Sequence, residues 1–277
     1  MAPDGLLGEL AATIGSRQEA RWVLEELDAR DDLDDVQRVG LARALAARRA
    51  TGVPLQYVLG HWPFRDLDLL VDPRALIPRP ETEVLVSLAL ERLAARDGSV
   101  ACDLGCGTGA IALSLAVEQR RRGRHVELHA TDVDVLALEL AMANAERAGV
   151  GAISFHRGSW FEALPAGVRG RVDVCCSNPP YVSIAERRGL AVELDFEPEG
   201  ALVAADGTDG TPGFAAVEAV VSGARGWLAP GGTLLVEHAD THRDAATSLA
   251  ARCGLDVVSD HDDLAGRPRV LEARMPS

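Results

Sequence analysis

Apolar residues recur at a spacing of three and four positions over the first 50 residues of the chain. The repeat comprises Trp22, Leu24, Leu27, Val36, Val39, Leu41 and Leu45. This spacing predicts a small helical domain over residues 1–52. From residue 53 to 79 the pattern changes to short extended pieces, among them the alternation Leu67-Asp68-Leu69, which predicts a hairpin-like linker.

A helix is predicted to resume after Pro80, with Glu81 and Glu83 in its first turn, where the helix dipole favours acidic side chains. Beyond residue 99, strand-like and helical segments alternate. The predicted strands are Val100–Leu104, Val126–Thr131, Ile153–Arg157, Val172–Ser177, Thr233–Glu237, Val257–Ser259 and Val270–Ala273, with helices such as Ala110–Arg121 and Val135–Ala148 between them. This alternation predicts an α/β domain over residues 80–277 with a doubly wound, mainly parallel, Rossmann-like sheet of seven strands.

The amino-acid composition argues against several classes of protein. The net charge of −14 argues against a broad grip on nucleic acid, because phosphate binding depends on basic side chains, and all 28 basic residues here are arginine. The five cysteines lie mostly in apolar runs, which indicates reduced thiols. Neither a zinc spacing, a signal peptide nor a membrane-length apolar stretch is evident, so we expect a cytoplasmic protein without a metal site.

A glycine-rich turn, Asp103-Leu104-Gly105-Cys106-Gly107-Thr108-Gly109, follows the first predicted strand of the sheet. Its glycines allow a sharp turn and the close approach of a ligand. Gly105, Gly107 and Ala110 fit a dinucleotide fingerprint, with Asp132 placed at the end of the next strand to accept from ribose hydroxyls. S-adenosylmethionine is the alternative, since Asp103 and the glycine turn suit a ligand without phosphate. Asp132 is also interpretable as a helix N-cap.

A second turn, Ser177-Asn178-Pro179-Pro180-Tyr181, follows the fourth predicted strand. Proline fixes its own φ, lacks an N–H and holds the preceding residue extended. The carbonyls of Asn178 and Pro179 therefore have few local donors, and Tyr181 offers a flat ring face. Such a turn is suited to holding a planar nitrogen beside the ligand of the glycine turn, which favours S-adenosylmethionine. Trp160, after the third strand, is expected at the same rim.

The chain resembles the HemK/PrmC family, the release-factor glutamine methyltransferases, over nearly its whole length. The motifs that carry the resemblance are Gly52–Gly60, Leu76–Glu83, Gly158–Leu164, Ser177–Tyr181, Glu197-Pro198 and Asp263–Arg267. Two segments depart from the family pattern. Glu237-His238-Ala239-Asp240-Thr241-His242 stands where the family usually reads Glu-Ile-Gly followed shortly by Gln, and Asp206–Gly213 is longer than usual.

The resemblance implies a class I methyltransferase sheet, a monomer, and an N-terminal helical domain that recognises the substrate. It implies that S-adenosylmethionine is bound by Asp103, Gly105, Cys106, Gly107, Thr108, Gly109, Asp132, Trp160 and Asn178. It also implies that Asn178, Pro179, Pro180 and Tyr181 bind a glutamine side chain, with Asn178, Pro179 and Tyr181 acting in catalysis. In the family, that glutamine belongs to the Gly-Gly-Gln motif of class I peptide-chain release factors and is methylated at N5.

Several alternatives remain at the level of sequence. The same turn serves an amino methyltransferase acting on adenine or guanine, although such enzymes need a basic surface to hold the nucleic acid. A ribosomal-protein glutamine is a closer alternative substrate. A nicotinamide oxidoreductase would leave Asn178 without a role, and the intact turn argues against a non-catalytic module that only binds S-adenosylmethionine.

Overall fold

A computed structural model describes residues 3–94 and 98–277 of the chain. The N-terminal part consists of three helices, α1 (Pro3–Ile14), α2 (Arg17–Asp28) and α3 (Asp35–Ala50). The side chain of Ser16 caps α2, and Asp34 caps α3 in a capping box with Gln37. Their buried apolar side chains form a separate core that also includes Leu55, three residues beyond the boundary predicted at residue 52. That domain boundary stays a prediction.

The segment after the three helices contains a short helix, α4 (Leu55–Leu59), and a hairpin of β1 (His61–Phe64) and β2 (Leu67–Leu70). The hairpin was predicted from the alternating pattern, whereas α4 was not. Gly60 ends α4 in a left-handed conformation with φ of 84°. Helix α5 (Thr82–Leu93) follows, with Glu83 in its first turn and Glu81 at its N-cap, so the prediction that Glu81 lies in the first turn is wrong by one position.

The main sheet contains β3 (Ser99–Leu104), β4 (Val126–Asp132), β5 (Ile153–Arg157), β6 (Val172–Ser177), β9 (Leu228–Glu237), β10 (Asp256–Asp262) and β11 (Pro268–Arg274). Two shorter strands, β7 (Val182–Ser183) and β8 (Val203–Ala204), pair with each other elsewhere. The order across the main sheet is β10-β11-β9-β6-β3-β4-β5. The five neighbouring strands β9, β6, β3, β4 and β5 are parallel to one another. Strand β11 is antiparallel to β9, and β10 is antiparallel to β11. The prediction of a doubly wound, mainly parallel, seven-stranded sheet is confirmed.

Helices cover both faces of this sheet. Apolar side chains from α5 and α6 (Ala110–Arg121) are buried against one face, and α7 (Val135–Arg147) lies beside them. Those of α10 (Ala215–Ala224) and α11 (Arg243–Arg252) are buried against the other. Two short helices, α8 (Ile184–Arg187) and α9 (Glu199–Leu202), lie between β7 and β8. Within the described residues, no helix has both the length and the apolar character needed to span a bilayer.

The chain reverses its winding direction at β3. The segments that follow β3 build the sheet through β4 and β5, and the chain then returns to add β6 on the other side of β3. Ligands of open α/β sheets bind outside the carboxyl ends of the strands at such a switch point. Leu104 and Ser177 are register partners at these two ends, and the Ser177 hydroxyl donates to the Leu104 carbonyl over 2.7 Å. The glycine turn and the Asn-Pro-Pro-Tyr turn therefore start side by side.

Candidate functional site

A cavity of about 300 Å³ opens at the switch point. Among the residues with a predicted role, Gly105, Cys106, Gly107, Thr108, Asp132, Trp160, Asn178 and Pro180 line it. The structure therefore brings together the two turns and the ends of β4 and β5, as the sequence predicted. Further lining residues come from the segment before α5, including Arg74, Ala75, Leu76 and Pro78, from the start of α7, including Val133 and Ala137, and from Pro198, Gly200 and Ala201 near α9.

The glycine turn is held by the neighbouring strand. The backbone N–H groups of Gly105 and Cys106 both donate to the carbonyl of Thr131, at 2.8 and 2.9 Å. Gly105 has φ of 74°, and a Cβ at this position would lie 3.2 Å from the Trp160 ring. The close contact between the turn and the indole therefore requires glycine.

Asp132 anchors the other side of the cavity. Its carboxylate accepts from the N–H of Gly107 over 2.9 Å and from the N–H of Asp134 over 3.0 Å. The N-cap of α7 is Asp134, so the interpretation of Asp132 as the cap is wrong. Burial raises the pKa of Asp132. Each carboxylate oxygen has more than one lone pair, so both can still accept hydrogen bonds from a ligand in the cavity.

Asp103 occupies a different place from the one predicted for it. Its side chain is fully buried beneath the glycine turn and does not line the cavity. One oxygen accepts from the N–H of Ala112 over 3.1 Å, and the other has no hydrogen-bond partner among the described residues. Burial raises the pKa of Asp103 to about 7. In this position Asp103 can support the glycine turn from below, but it cannot contact a ligand in the cavity.

Three other predicted residues do not line the cavity either: Gly109, Pro179 and Tyr181. Gly109 begins α6, and a Cβ there would lie 3.2 Å from the side chain of Ala141, which explains the glycine by helix packing. The hydroxyl of Tyr181 donates to Glu237 over 3.1 Å. Pro179 is buried, and its carbonyl accepts no hydrogen bond from residues 3–94 and 98–277.

The Asn178 side chain is oriented by Thr82, at the start of α5. The amide Nδ2 of Asn178 donates to the Thr82 hydroxyl over 3.0 Å, and that hydroxyl donates to the Glu237 carboxylate over 2.7 Å. The amide oxygen of Asn178 accepts nothing from the described part of the chain. The sequence motifs contained Thr82 and Glu237, but they gave no signal for this contact because the two residues are 155 positions apart.

A second buried acid holds the segment before α5. Glu197 accepts from the N–H of Ile77 over 3.0 Å and forms an ion pair with Arg79. Its side chain is 1% exposed. Glu197 precedes Pro198, which lines the cavity, so this acid ties two of the cavity walls together.

The charges and shape of the cavity fit S-adenosylmethionine. The cavity offers apolar walls, the acceptor Asp132 and a glycine turn close to an indole, which suit an adenine ring, a ribose diol and a compact methionine chain. No cluster of potential metal ligands occurs among the described residues.

The fold and the site together define a methyltransferase of the Rossmann-like class. A model of the methyltransferase small domain matches residues 82–196. A solved methyltransferase from Pyrococcus furiosus superposes with a TM-score of 0.53 at 19% identity, covering 77% of this chain and 91% of its own. The 16S rRNA N2 G1207 methyltransferase of Thermus thermophilus, solved with AdoMet and guanosine, gives 0.52 at 18% identity, covering 78% and 49%.

Sequence relatives identify the family within this class. A release factor glutamine methyltransferase of Bordetella pertussis is 39% identical over 275 residues, which cover 96% of this chain and 97% of that protein. Another, from Xylella fastidiosa, is 38% identical over 234 residues and covers 84% and 81%. The chain belongs to the release factor glutamine methyltransferase family, as the resemblance in its motifs predicted. These comparisons favour a methyltransferase over a nicotinamide oxidoreductase.

Proposed function

We propose that this protein transfers a methyl group from S-adenosylmethionine to the side-chain nitrogen N5 of the glutamine in the Gly-Gly-Gln motif of class I peptide-chain release factors. The observation that carries the proposal is the side chain of Asn178, which lines the cavity: its amide nitrogen donates to Thr82, and its amide oxygen accepts no hydrogen bond from the described residues. The family relatives, named as release factor glutamine methyltransferases, support the substrate.

The residues of the cavity would bind the cofactor in three parts. Asp132 accepts from the ribose hydroxyls, the backbone of Gly105 to Thr108 surrounds the methionine portion, and Trp160 closes the rim. When bound, S-adenosylmethionine supplies an electrophilic methyl group on a sulfonium sulfur, which leaves as a neutral thioether. Asp103 supports the turn from beneath.

The Asn-Pro-Pro-Tyr turn would hold and activate the amide nitrogen. An amide is a poor nucleophile because its lone pair is conjugated with the carbonyl, as the rotation barrier of about 18–20 kcal/mol shows. The Asn178 side-chain oxygen accepts one amide hydrogen and stabilises the positive charge that develops on nitrogen. The Pro179 carbonyl, which accepts no hydrogen bond from the described residues but does not line the cofactor cavity, would accept the other from a substrate that enters beside the cavity. Fixed acceptors need no reorganisation during the reaction. One of the two protons is released to water after the transfer.

Alignment supplies much of the remaining acceleration. Holding two reactants in a reactive geometry is worth about 7–11 kcal/mol of barrier reduction. Pro179 and Pro180 fix the backbone of the turn, and the ring of Tyr181 is a platform whose hydroxyl is already bonded to Glu237. A dedicated general base is not required by this scheme. The N-terminal helices α1 to α3 recognise the release factor, and the protein acts as a monomer in the cytoplasm.

The decisive experiment uses labelled S-adenosylmethionine with purified class I release factors, ribosomal proteins and DNA, followed by mass-spectrometric mapping of the label. We expect label on the Gly-Gly-Gln glutamine and none on a release factor in which that glutamine is replaced by asparagine. Asn178→Ala should abolish turnover and weaken cofactor binding only modestly. Label confined to nucleic acid or to a ribosomal protein, or wild-type rates in Asn178→Ala, would refute the proposal.

A further inference from the structure

Asn178 is the first member of a chain of hydrogen bonds that joins three elements near the cavity. Its amide Nδ2 donates to Thr82 at the start of α5, Thr82 donates to the Oε2 atom of Glu237 at the end of β9, and Tyr181 donates to the Oε1 atom of Glu237. Thr82 is 4% exposed, and Glu237 is fully buried. Asn178 and Thr82 line the cavity, whereas the Glu237 carboxylate at the other end of the chain is shielded from water.

The protons of this chain can point in one direction only while Glu237 is ionised. A carboxylate accepts hydrogen bonds and donates none, and a hydroxyl has a single hydrogen. The Thr82 hydroxyl must therefore donate its single hydrogen to Glu237 and accept a hydrogen bond from Asn178. This requires the NH₂ group of Asn178 to face Thr82, which leaves its amide oxygen for the cavity.

Protonation of Glu237 allows the reverse arrangement. The neutral acid can donate to the Thr82 hydroxyl, whose hydrogen is then free to point at Asn178. The amide of Asn178 satisfies that donor by turning its oxygen toward Thr82, and its NH₂ group then faces the cavity. A donor in that position cannot accept a hydrogen from a substrate amide.

We infer that Thr82 and Glu237 are positioning residues, and that the negative charge of Glu237, relayed through the Thr82 hydroxyl, keeps the Asn178 oxygen turned toward the cavity. The inference deepens the proposed function and rests on it for the role of that oxygen. It assigns a reason for a buried carboxylate in which both oxygens are already bonded and which lies outside the cavity wall.

The groups around Glu237 determine the pKa of its carboxyl group. Burial raises the pKa of Glu237, while the hydrogen bonds from Thr82 and Tyr181 and the charge of Arg269 lower it, and Glu81 raises it. The guanidinium of Arg269, on β11, donates its hydrogen bonds to the Asp263 carboxylate and to the His238 carbonyl. The net direction is upward, so Glu237 becomes protonated as pH falls through a value above the ordinary carboxyl range. Activity is expected to fall with it.

The kinetic test compares three threonine variants with the wild type at saturating cofactor. Thr82→Val removes the relay and should lower kcat about tenfold, with an unchanged Kd for S-adenosylmethionine. Thr82→Ser keeps the hydroxyl and should restore most of the rate. Thr233→Val, at a buried threonine on β9 whose side chain makes no hydrogen bond in the described structure, should behave as the wild type. Wild-type kcat in Thr82→Val, or no recovery in Thr82→Ser, would overturn the inference.

The pH profile adds a readout that a structural role would not change. Wild-type kcat should decline at the acid end, and Glu237→Gln should lose the part of the decline that belongs to Glu237. Burial raises the pKa values of Asp103 and Asp132 in both proteins, so a decline common to both does not belong to the relay. Identical profiles in the two proteins count against the inference.

A measurement without any substrate separates this inference from the proposed function. In ¹⁵N-labelled protein, the side-chain amide resonance of Asn178 should shift with pH in the wild type and lose that dependence in Thr82→Val. A resonance that is independent of pH in the wild type, or equally dependent in Thr82→Val, would overturn the relay. Absence of methylation on release factors by the wild type would instead refute the proposed function alone.

Discussion

Gly213 provides a sharp test of how the Asn-Pro-Pro-Tyr turn is supported. It has φ of 66°, and a Cβ at this position would lie 2.5 Å from the carbonyl oxygen of Tyr181 and 2.8 Å from the N–H nitrogen of Ser183. Gly213→Ala therefore combines left-handed strain of about 1–2 kcal/mol with overpacking against backbone of about 1–3 kcal/mol. We expect the free energy of unfolding to drop by about 2–5 kcal/mol.

Gly210 is the matched control, because it lies in the same segment with φ of 85° and has nothing within 4 Å of an added Cβ. Gly210→Ala should cost only the strain, about 1–2 kcal/mol. Urea denaturation followed by far-ultraviolet circular dichroism measures both. Gly213→Ala should also lose methylation, since relief of the overlap moves Tyr181. Equal stability of the two variants would show that Gly213 does not press on the turn, and the reasoning would fail.

Three further predictions concern buried polar groups. Between about pH 4 and 7, Asp103 holds a proton in the folded protein but not in the unfolded chain, so the free energy of unfolding falls as pH rises through this window. Thermal melts of Asp103→Asn should therefore show a flatter dependence of stability on pH than those of the wild type. Glu197→Ala leaves the Ile77 N–H without its partner and should weaken S-adenosylmethionine binding about tenfold by isothermal titration calorimetry; an unchanged Kd would exclude its role in the cavity wall. His242→Gln keeps a donor for Pro212 and should methylate within about twofold of the wild type in the labelled assay; a change of substrate would show that this departure tunes specificity.

The central strand Val172–Ser177 was predicted with the observed bounds because it is a largely apolar run between turn signals. Ile153–Arg157, at the other edge of the sheet, was also predicted with the observed bounds, because its apolar and polar residues alternate. Strand β9 begins five residues before its predicted start, because Pro230, Gly231 and Gly232 interrupt the apolar pattern within a strand that still pairs. Strand β10 is an edge strand with many exposed positions, and only Val257–Ser259 of its seven residues were predicted.

The short elements could not be predicted for a different reason. Helix α4 has five residues, and β7 and β8 have two each. None of them is long enough to display a period, and their conformations depend on tertiary contacts such as the bond from the Tyr57 hydroxyl to the Ala75 carbonyl. Local sequence contains no information about such partners.

The cavity residues were predictable to the extent that they follow directly from strand ends. Gly105, Asp132 and Asn178 each come at the carboxyl end of a parallel strand, so topology alone assembles them. Asp103 also lies near the carboxyl end of a parallel strand, but this strand is buried along its whole length. The Asp103 side chain therefore lies under α6. Asp103 is paired with Ala130, two residues before Asp132, so it lies in the core below the strand ends that line the cavity.

The two departures from the family pattern are one structural feature rather than two. His242 is buried, and its Nε2 donates to the Pro212 carbonyl over 2.8 Å, while its ring stands edge-on to Phe214 at 5.1 Å. Pro212 belongs to the longer segment, and the next residue, Gly213, abuts the backbone of Tyr181. Burial lowers the pKa of His242, so the ring is neutral and bonds Pro212 at neutral pH. The unusual histidine thus anchors the unusual segment, and that segment supports the turn from behind without entering the cavity. Both departures are therefore joined to the support of the turn, through His242 and Gly213.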